Sequence, residues 1–517
     1  MTAPPHTSDR DGDPEAVLAF MDERVHSGVA RRVDTHISVV FLEPDRVLKI
    51  KRAVRLPFLD FSTLEKRRQA CEAELAVNRR YTPELYRQVI PITRGMNGPE
   101  IGGAGPVLEW AVEMARFDER CTLDHLAAAG EIRPEIGDAL ADTIRRSHER
   151  SHERAEICDG RAWLASIATI IDRNTENFRG QPTIERNAVE RLHERSHGWL
   201  ASCQPVLQRR ASAGCVRRCH GDAHLGNVVL INQQPVLFDA IEFDPAMATT
   251  DVLYDLAFPL MDLLHFRSLR AANRLLNRYL EPTWRHNGGA LRLLSLFLSM
   301  RAAIRSQVLF TKYEQSRDDA ALAEANSYFE LALRLVTSAR PSLVPIGGMS
   351  GTGKSLLARD AACLLQPPPG AVILRSDVIR KQLFDVDPLT ALPDSAYSAE
   401  VSDRVYKAML ERAAQITAQG FSAILDAAFL RESERSTLEQ DARGMTADFR
   451  PIFLHASLSI RVDRVASRGR DASDATREVA AQQEQYSIGQ LHWPRIDASG
   501  SPEETLRRSS SVLLKAP

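Results

Sequence analysis

The stretch GGMSGTGKS, from Gly347 to Ser355, decides how this chain is divided. Gly348, Gly353, Lys354 and Ser355 have the spacing of a loop that binds phosphate groups through its backbone N–H groups. Apolar residues precede the stretch, and SLLARDAACLL follows it with helical periodicity. A strand, a glycine-rich loop and a helix N-terminus in this order favour an anion at the start of the helix. The stretch therefore predicts an α/β nucleotide-binding domain in the last third of the chain.

The side chains of the loop have separate tasks in such a site. The Lys354 ammonium reaches the β- and γ-phosphates, and the Ser355 hydroxyl holds Mg²⁺. Backbone N–H groups of the loop surround the phosphates. The predicted nucleotide-binding residues are therefore Gly348, Ser350, Gly351, Thr352, Gly353, Lys354 and Ser355.

An aspartate follows the next predicted strand, in AVILRSDVIRKQLF from Ala371. Asp377 lies at the carboxyl end of that strand, where ligands bind in open α/β sheets. Arg380 comes one helical turn later, on the same side. This D-x-x-R resembles polynucleotide, zeta-toxin-type and gluconate- or shikimate-type kinases, and the resemblance implies that Asp377 takes the proton of an acceptor hydroxyl. A helix cap at Ser376 or Asp377 is the alternative.

A run of arginines lies in IRVDRVASRGRDASDAT, from Ile460. Small P-loop kinases close an arginine-bearing lid over the γ-phosphate at the corresponding place. That resemblance favours Arg468 and Arg470 over Arg464, because Gly469 between them lets the segment bend. A solvated helix face is the alternative.

Composition limits the classes of protein that this chain can be. It has 517 residues, of which 44% are hydrophobic and 26% charged, so we expect several globular domains. A net charge of −2 gives no overall attraction to nucleic acid or membrane. No apolar run approaches the ~18 residues of a membrane span, and the polar N-terminus does not resemble a signal peptide. The seven cysteines are expected to be reduced, in a cytoplasmic protein without a membrane partner.

A second pattern is found in CHGDAHLGNVVLINQQPVLFDAIEFD, from Cys219. His220, Asp222 and Asn227 form the string H-x-D-x-x-x-x-N, and two predicted strands lead from it to Asp239. Protein kinases use the same order for a catalytic aspartate, an asparagine ligand to Mg²⁺ and an aspartate ligand to Mg²⁺. The residue types suit this chemistry, which needs a base near the acceptor and oxygen ligands for a hard cation.

Upstream, the predicted strand RVLKIK carries Lys49 and Lys51 on one face. A charged helix follows, with Glu74 about 25 residues after the first lysine. Kinase-like folds hold the lysine that binds the α- and β-phosphates with a glutamate in this way. From the residues alone, either Lys49 or Lys51 could pair with either Glu72 or Glu74.

The region from about Val33 to Leu335 resembles the aminoglycoside phosphotransferase and choline kinase group. The resemblance implies that Asp222 is the catalytic base, that Asn227 and Asp239 bind Mg²⁺, and that Lys49 with Glu74 binds the nucleotide. The segment 113–116 resembles the hinge that receives adenine, which makes Glu113 and Met114 cofactor-binding residues.

Two departures from that group are visible. No glycine-rich loop precedes Lys49, and THIS, from Thr35, takes its place. The acceptor-binding segments of the aminoglycoside enzymes have no match, so antibiotic modification does not follow.

The predicted fold is an α+β, two-lobed, kinase-like phosphotransferase domain followed by an α/β P-loop kinase domain with a mainly parallel sheet. The expected order is a disordered leader over 1–14, an N-lobe over 15–117, a helical C-lobe with the catalytic loop over 118–337, a linker over 338–342 and the P-loop domain over 343–517. This order resembles bacterial proteins that join an aminoglycoside phosphotransferase-like domain to an ATP-binding domain.

The predicted function is ATP- and Mg²⁺-dependent transfer of the γ-phosphoryl group to hydroxyls of small metabolites, at two sites. One alternative makes the C-terminal domain a polynucleotide 5′-hydroxyl kinase, with nucleic acid as its partner. Another is an ATP-sensing or toxin–antitoxin-like module, which the presence of every expected catalytic residue disfavours.

Overall fold

The computed structural model of the protein describes residues 12–56, 59–153, 160–467, 469 and 471–514. The chain forms two compact units. The N-terminal unit comprises the residues up to Ile132 together with Thr143–Trp163 and Arg210–Pro259. The C-terminal unit comprises Arg133–Asp142, Leu164–Arg209 and everything from Leu260 onward.

An antiparallel sheet forms the first part of the N-terminal unit, with the strand order β1-β2-β3-β8-β6-β7. Buried side chains lie on both faces of the sheet, since Leu48 and Ile50 of RVLKIK pack with residues of α1 and Val47 packs with Cys71 of α2. The helix α2 packs against β8 and β6 of this sheet. The elements are α1 (Pro14–His26), β1 (Arg31–Asp34), β2 (Ser38–Leu42), β3 (Arg46–Lys51), β4 (Arg55–Leu56), β5 (Leu59–Asp60), α2 (Leu64–Asn78), β6 (Tyr86–Gly95), β7 (Gly98–Ile101) and β8 (Val107–Ala115).

Helices and two short β-ribbons complete this part of the chain. The ribbon β10–β11 is an antiparallel hairpin, and β9 pairs with β12. The boundaries between the two units fall within α4, α5, α6 and α8. The elements are α3 (Leu123–Ala128), α4 (Pro134–Glu153), α5 (Gly160–Arg179), α6 (Arg186–Ser212), β9 (Val216–Arg218), β10 (Val228–Ile231), β11 (Gln234–Leu237), α7 (Pro245–Ala248), β12 (Thr249–Asp251) and α8 (Val252–His265).

Three long helices come next in the C-terminal unit, namely α9 (Leu269–Asn287), α10 (Leu291–Ser316) and α11 (Asp319–Leu335). The segment Leu269–Ser316 contains an 18-residue window that is apolar enough to cross a membrane. Inside the protein 78% of that window is buried, as expected for a core helix. Its apolar residues therefore have packing partners within the unit.

A parallel sheet with the order β14-β15-β13-β17-β18 forms the rest of the C-terminal unit. The strand before the P-loop, β13, lies at its centre and is buried along its whole length, as parallel strands covered on both faces require. The elements are β13 (Ser342–Gly348), α12 (Lys354–Ala362), β14 (Val372–Arg375), α13 (Ser376–Leu383), α14 (Ala399–Ala418), β15 (Ala423–Asp426), α15 (Glu432–Ala442), β16 (Asp448–Phe449), β17 (Ile452–His455), α16 (Leu458–Ser467), α17 (Arg477–Gln482), β18 (Arg495–Asp497) and α18 (Pro502–Leu513).

The helix α9 covers the outer edge of this sheet within the C-terminal unit. The Asn277 side chain accepts a hydrogen bond from the Ile373 N–H at 2.7 Å and donates one to the Ala371 carbonyl at 3.1 Å. The Asn273 side chain donates to the carbonyls of Pro369 and Ala371. Two asparagines thus take the place of a neighbouring strand beside β14. The predicted bounds of the linker and domains stay a prediction.

Two features differ from the sequence-based expectation. Asp13, which we placed in the leader, caps α1 by accepting from the Ala16 N–H, and its own N–H donates to the Leu108 carbonyl. Residues 1–11 of the predicted leader lie outside the described residues. The segment SHERSHER, residues 147–154, is strongly charged, and its sequence favours a solvated helix face over a ligand site, but His148 is buried and bonded to Asp255. That expectation is wrong at His148, because helix α4 turns this side chain inward; the side chains from His152 onward lie outside the described residues.

Candidate active sites

The loop between β13 and α12 has the geometry that its glycines permit. Gly348, Gly351 and Gly353 have φ values of +140°, +83° and +91°, a region that favours glycine. A Cβ on Gly351 would lie 2.4 Å from the Arg461 carbonyl oxygen. The Lys354 ammonium donates to the Met349 carbonyl at 3.1 Å, across the mouth of the loop. The backbone is therefore already folded around a space for an anion.

A hydroxyl and a carboxylate are in contact at the start of α12, directly after this loop. The Ser355 hydroxyl donates to Asp426 at the end of β15, at 2.6 Å. Arg375 lies 3.4 Å from the same carboxylate and pairs with Asp471 at 2.8 Å. A hydroxyl and a carboxylate in contact suit a hard divalent cation, so the donor set fits Mg²⁺.

Asp377 shares one cavity with the loop. The cavity holds about 950 Å³ and is lined by residues 350–357, Asp377, Arg380 and both Tyr397 and Tyr406, among others. Burial raises the pKa of the Asp377 carboxyl above its ordinary value, against the opposing effect of Arg375. A carboxyl with a raised pKa in the first turn of α13, directly after the edge strand β14, is suited to act as a proton acceptor.

Arg380 is largely anchored to protein groups. Its guanidinium donates to the Ala396 carbonyl at 2.6 Å and lies 4.8 Å from the centre of the Tyr397 ring. Its Nε is buried and has no hydrogen-bond partner among the described residues. The structure thus places Arg380 and Asp377 on the lining of the same cavity.

Of the three lid candidates, only Arg464 lies among the described residues. Its guanidinium donates to the carbonyls of Ala498 and Gly500, each at 2.7 Å, while the residue also lines the cavity. Arg468 and Arg470 lie outside the described residues. Their role in closing the site stays a prediction.

Sequence reasoning missed two side chains that touch the P-loop. The Gln483 side-chain oxygen accepts the Ser350 N–H at 2.7 Å, in the way a phosphate oxygen would. The Arg461 side chain is fully buried, donates to the Ser350 carbonyl at 3.2 Å and pairs with Glu484. Both residues lie more than one hundred residues after the loop, so no local pattern in the sequence indicated either contact.

In the N-terminal unit, Lys49 lies between two carboxylates. Its ammonium is 2.9 Å from Glu74 on α2 and 2.5 Å from Asp239, which follows β11. Burial opposes the charge on Lys49, but these carboxylates raise its pKa well above the ordinary value. Burial also works against ionised Glu74, yet the pKa of its carboxyl is lowered by Lys49 and Lys51. Glu74 is thus the glutamate beside the lysines, whereas Glu72 is half exposed and pairs with Arg68.

The other lysine of β3 belongs to a buried structural group. The Lys51 ammonium lies 2.5 Å from Glu74 and 2.5 Å from Glu242, with no exposed side-chain surface. Sequence reasoning missed Glu242, although it stands three residues after Asp239. Lys51 therefore holds Glu74 from the far side, while Lys49 is 12% exposed and faces the site.

The catalytic-loop residues form one hydrogen-bonded group. The Asn227 amide donates to the Asp222 carbonyl at 2.9 Å and to its carboxylate at 3.1 Å, which leaves the amide oxygen for a cation. Asp222 and Asp239 are each 41% exposed, so both can reach a ligand. Asp239 adopts a left-handed φ of +59°, held by its N–H bond to the Tyr86 hydroxyl. These carboxylate and amide oxygens fit Mg²⁺.

Buried groups hold this loop from behind. The Asp255 carboxylate accepts the Gly221 N–H at 2.8 Å and contacts His148 at 3.0 Å. His220 donates from Nε2 to the Phe238 carbonyl, and burial lowers its pKa. Such an imidazole stays neutral at pH 7, which is consistent with a role in positioning the loop.

The predicted hinge residues lie within a strand. Glu113 pairs with Leu48 on one side and with Gln88 on the other, and Met114 is buried. The strand β8 ends at Ala115, so the first backbone groups beyond it are those of Arg116. Nucleotide binding by Glu113 and Met114 stays a prediction.

Two regions of the chain match models of known protein families. Residues 52–287 match the family model described as "Phosphotransferase enzyme family", and residues 343–487 match the model described as "AAA domain". An uncharacterized protein of Mycobacterium tuberculosis and one of Mycobacterium bovis are each 27% identical over 524 residues, covering 99% of this chain and 99% of their own.

Two solved structures are also similar. A gluconokinase from Sinorhizobium meliloti is 21% identical, with a TM-score of 0.25, and the match covers 35% of this chain and 94% of that chain. A choline/ethanolamine kinase family protein from Mesorhizobium loti is 12% identical, with a TM-score of 0.37, and the match covers 62% of this chain and 95% of that chain.

The two family matches confirm the resemblance drawn from the sequence. Residues 52–287 form a kinase-like phosphotransferase domain, and residues 343–487 form a nucleotide-binding P-loop domain. The predicted order of an α+β kinase-like domain followed by an α/β domain with a parallel sheet is confirmed. The chain is a phosphotransferase.

Proposed function

We propose that the protein transfers the γ-phosphoryl group of ATP, with Mg²⁺, to hydroxyl groups of small polar metabolites at two separate sites. The single observation that carries this proposal is the cavity of about 950 Å³ that joins the P-loop to Asp377. A phosphate-binding loop and a candidate base in one cavity are the parts that phosphoryl transfer needs. We also propose that the protein acts in the cytoplasm.

The lining of that cavity supports a small, hydroxylated acceptor. Asp394, Arg431 and Glu434 line it together with Asp377 and three tyrosines. Alternating acidic, basic and hydroxyl groups bind a polyhydroxylated molecule better than an apolar one. The volume lies within the range of pockets for small ligands.

In the P-loop site, the loop amides and Lys354 hold the phosphates while Asp377 receives the acceptor proton. The acceptor oxygen then forms a bond to the γ-phosphorus, and the bond from that phosphorus to the β–γ bridging oxygen breaks to leave ADP. Ser355 and Asp426 are the residues that would hold Mg²⁺. Bound there, the cation would neutralise charge on the phosphoryl oxygens.

In the N-terminal site, Asp222 is the proposed base, and Lys49 is the proposed contact for the α- and β-phosphates. Asn227 and Asp239 are the residues that would hold Mg²⁺. Lys49 already touches Asp239, so nucleotide binding must exchange part of this ion pair for phosphate contacts. Glu74 then keeps the ammonium in place.

The test is a screen of ATP consumption over sugars, amino sugars, choline-like alcohols, nucleosides and 5′-hydroxyl oligonucleotides. It compares the wild type with Asp222→Ala and Asp377→Ala, and with the exposed control variants Asp45→Ala and Asp403→Ala. We expect each site variant to lose a different acceptor and the controls to lose none.

Other outcomes would overturn the proposal. If an oligonucleotide were the sole acceptor and Asp377→Ala abolished its phosphorylation, the C-terminal domain would be a polynucleotide kinase. If Asp222→Ala and Asp377→Ala both matched the wild type with every acceptor, neither site would perform the transfer.

A further inference from the structure

Two histidines and an aspartate meet on the surface of the C-terminal unit, and none of the three lines the cavity that contains the P-loop. His193 and His197 lie on α6, and Asp172 lies on α5. One nitrogen of each ring and one carboxylate oxygen all lie within 4.8 Å of one another. The His197 Nε2 is 2.7 Å from the Asp172 Oδ1, and the His193 Nδ1 is 3.9 Å from the same oxygen.

The positions follow from helix geometry. Residues four apart lie one above the other on a helix, so His193 and His197 share one face of α6. Their ring centres are 4.5 Å apart, with the planes at 63°. Two histidines at this spacing on one helix are a common way to bind zinc, and a third ligand from another element completes the protein's share of such a site.

The surroundings favour a metal ligand set over a buried hydrogen bond. The side chains of Asp172, His193 and His197 are 58%, 31% and 35% exposed, so an ion can enter and water can fill its remaining positions. The Thr175 hydroxyl lies 3.1 Å from the His193 Nδ1 and donates to the Ile171 carbonyl. This contact uses the same nitrogen that lies 3.9 Å from the Asp172 Oδ1, so a metal bound through the His193 Nδ1 would replace it.

A second cluster does not have these properties. His148, Cys219 and Asp255 also bring possible ligand atoms within 4.8 Å, but all three are buried. The Asp255 carboxylate already accepts from Gly221 and contacts His148. Its groups hold the catalytic loop and leave no route for an ion from solvent.

We propose that Asp172, His193 and His197 bind a divalent transition metal of the zinc class, which joins α5 to α6. Tetrahedral zinc with bonds of about 2.0–2.1 Å sets its ligand atoms about 3.3 Å apart. From 2.7 Å the distance to the His197 Nε2 must lengthen, and from 3.9 Å the distance to the His193 Nδ1 must shorten, each by about 0.6 Å, to reach that separation. Imidazole and carboxylate ligands suit Zn²⁺, whereas Mg²⁺ and Ca²⁺ prefer oxygen alone.

The experiment measures binding of Zn²⁺ to the full-length protein by equilibrium dialysis, with excess Mg²⁺ present throughout. It compares the wild type with His193→Ala/His197→Ala and with Asp172→Asn. The control is His125→Ala, because His125 forms a lone histidine–aspartate pair with Asp124 on α3. Thermal unfolding of each variant is recorded with and without Zn²⁺.

We expect the double histidine variant to bind one Zn²⁺ fewer than the wild type, and His125→Ala to bind the same number. Asp172→Asn should need at least a tenfold higher Zn²⁺ concentration for half-saturation of that site, since a ligand matters no less than its outer-shell partners. Zn²⁺ should raise the unfolding temperature of the wild type by more than that of the double variant. If the wild type and the double variant bound zinc with equal stoichiometry and affinity, the proposed site would be wrong. If Asp172→Asn bound zinc with wild-type affinity, the Asp172 carboxylate would not be a ligand.

Discussion

The two candidate active sites of this chain are held together in different ways. In the N-terminal unit, side-chain charges hold one another: Lys49 and Lys51 share Glu74, and each has a second carboxylate of its own. In the P-loop site, the conformation of the backbone shapes the loop, and the Lys354 ammonium contacts a carbonyl oxygen. The first site therefore depends on a balance of buried charge, whereas the second depends on backbone conformation.

The largest effect should come from the proposed base of the P-loop site. Asp377→Asn keeps the shape of the side chain but removes the proton acceptor, so we expect phosphoryl transfer in that domain to fall about 10²- to 10⁴-fold. The measurement is the turnover rate with the acceptor that the screen assigns to this site. Asp403→Asn is the matched control on the exposed face of α14. An unchanged rate in Asp377→Asn would show that positioning by the backbone is sufficient for phosphoryl transfer in this domain.

Removal of Lys51 should show how strongly the other site depends on charge balance. Lys51→Met leaves the buried Glu242 without its partner, and we expect a loss of about 3–5 kcal/mol in the free energy of unfolding. The measurement is urea denaturation. Lys51→Met/Glu242→Gln should recover part of this loss, since it also removes the unpaired carboxylate.

If Lys51→Met were as stable as the wild type, the N-terminal site would not depend on a balance of buried charge.

Lys49→Met tests function on the same strand, because the Lys49 side chain faces the site. We expect it to reduce activity of the N-terminal domain more, and stability less, than Lys51→Met does.

The pH dependence of the P-loop reaction should reflect the raised pKa of the Asp377 carboxyl. Burial raises the pKa of Asp377, so kcat/KM should fall about tenfold per pH unit below a midpoint that lies above the ordinary value of about 3.9. The folded chain holds this proton more tightly than the unfolded chain, so the stability that Asp377 contributes falls as pH rises through the raised pKa. Asp377→Asn should therefore be no less stable than the wild type at pH 7, and a midpoint at or below the ordinary value would contradict this account.

The smallest effect should come from the edge of the parallel sheet. Asn277→Ala leaves the Ile373 N–H without its partner, and we expect a loss of about 1–3 kcal/mol in the free energy of unfolding. Thermal or urea unfolding measures this change, with the exposed Asn187→Ala on α6 as the control. Equal stability of the two variants would show that water replaces the asparagine at the edge.

The fold was predictable from the sequence where its signals are local. The P-loop lies within nine residues, with a strand before it and a helix after it, so its fold class could be read directly. The H-x-D-x-x-x-x-N string is equally short. The resemblance that these strings carry was enough to predict both domains.

Contacts between distant parts of the chain were harder to predict. Lys49 and Asp239 are 190 residues apart, and only the family resemblance joined them. Glu242 and Gln483 were missed because no nearby sequence pattern indicates which residues they contact. His148 was misread because its neighbours are charged, while the burial of one helix face is decided by packing.

The helix that covers β14 determines how the protein can be divided in the laboratory. A fragment that starts at the predicted linker would lack Asn273 and Asn277, and the outer edge of its sheet would present free N–H and C=O groups to solvent. Such an edge is a template for a strand from another molecule. The P-loop domain expressed alone should therefore self-associate through β14, so the smallest well-behaved fragment must begin before α9.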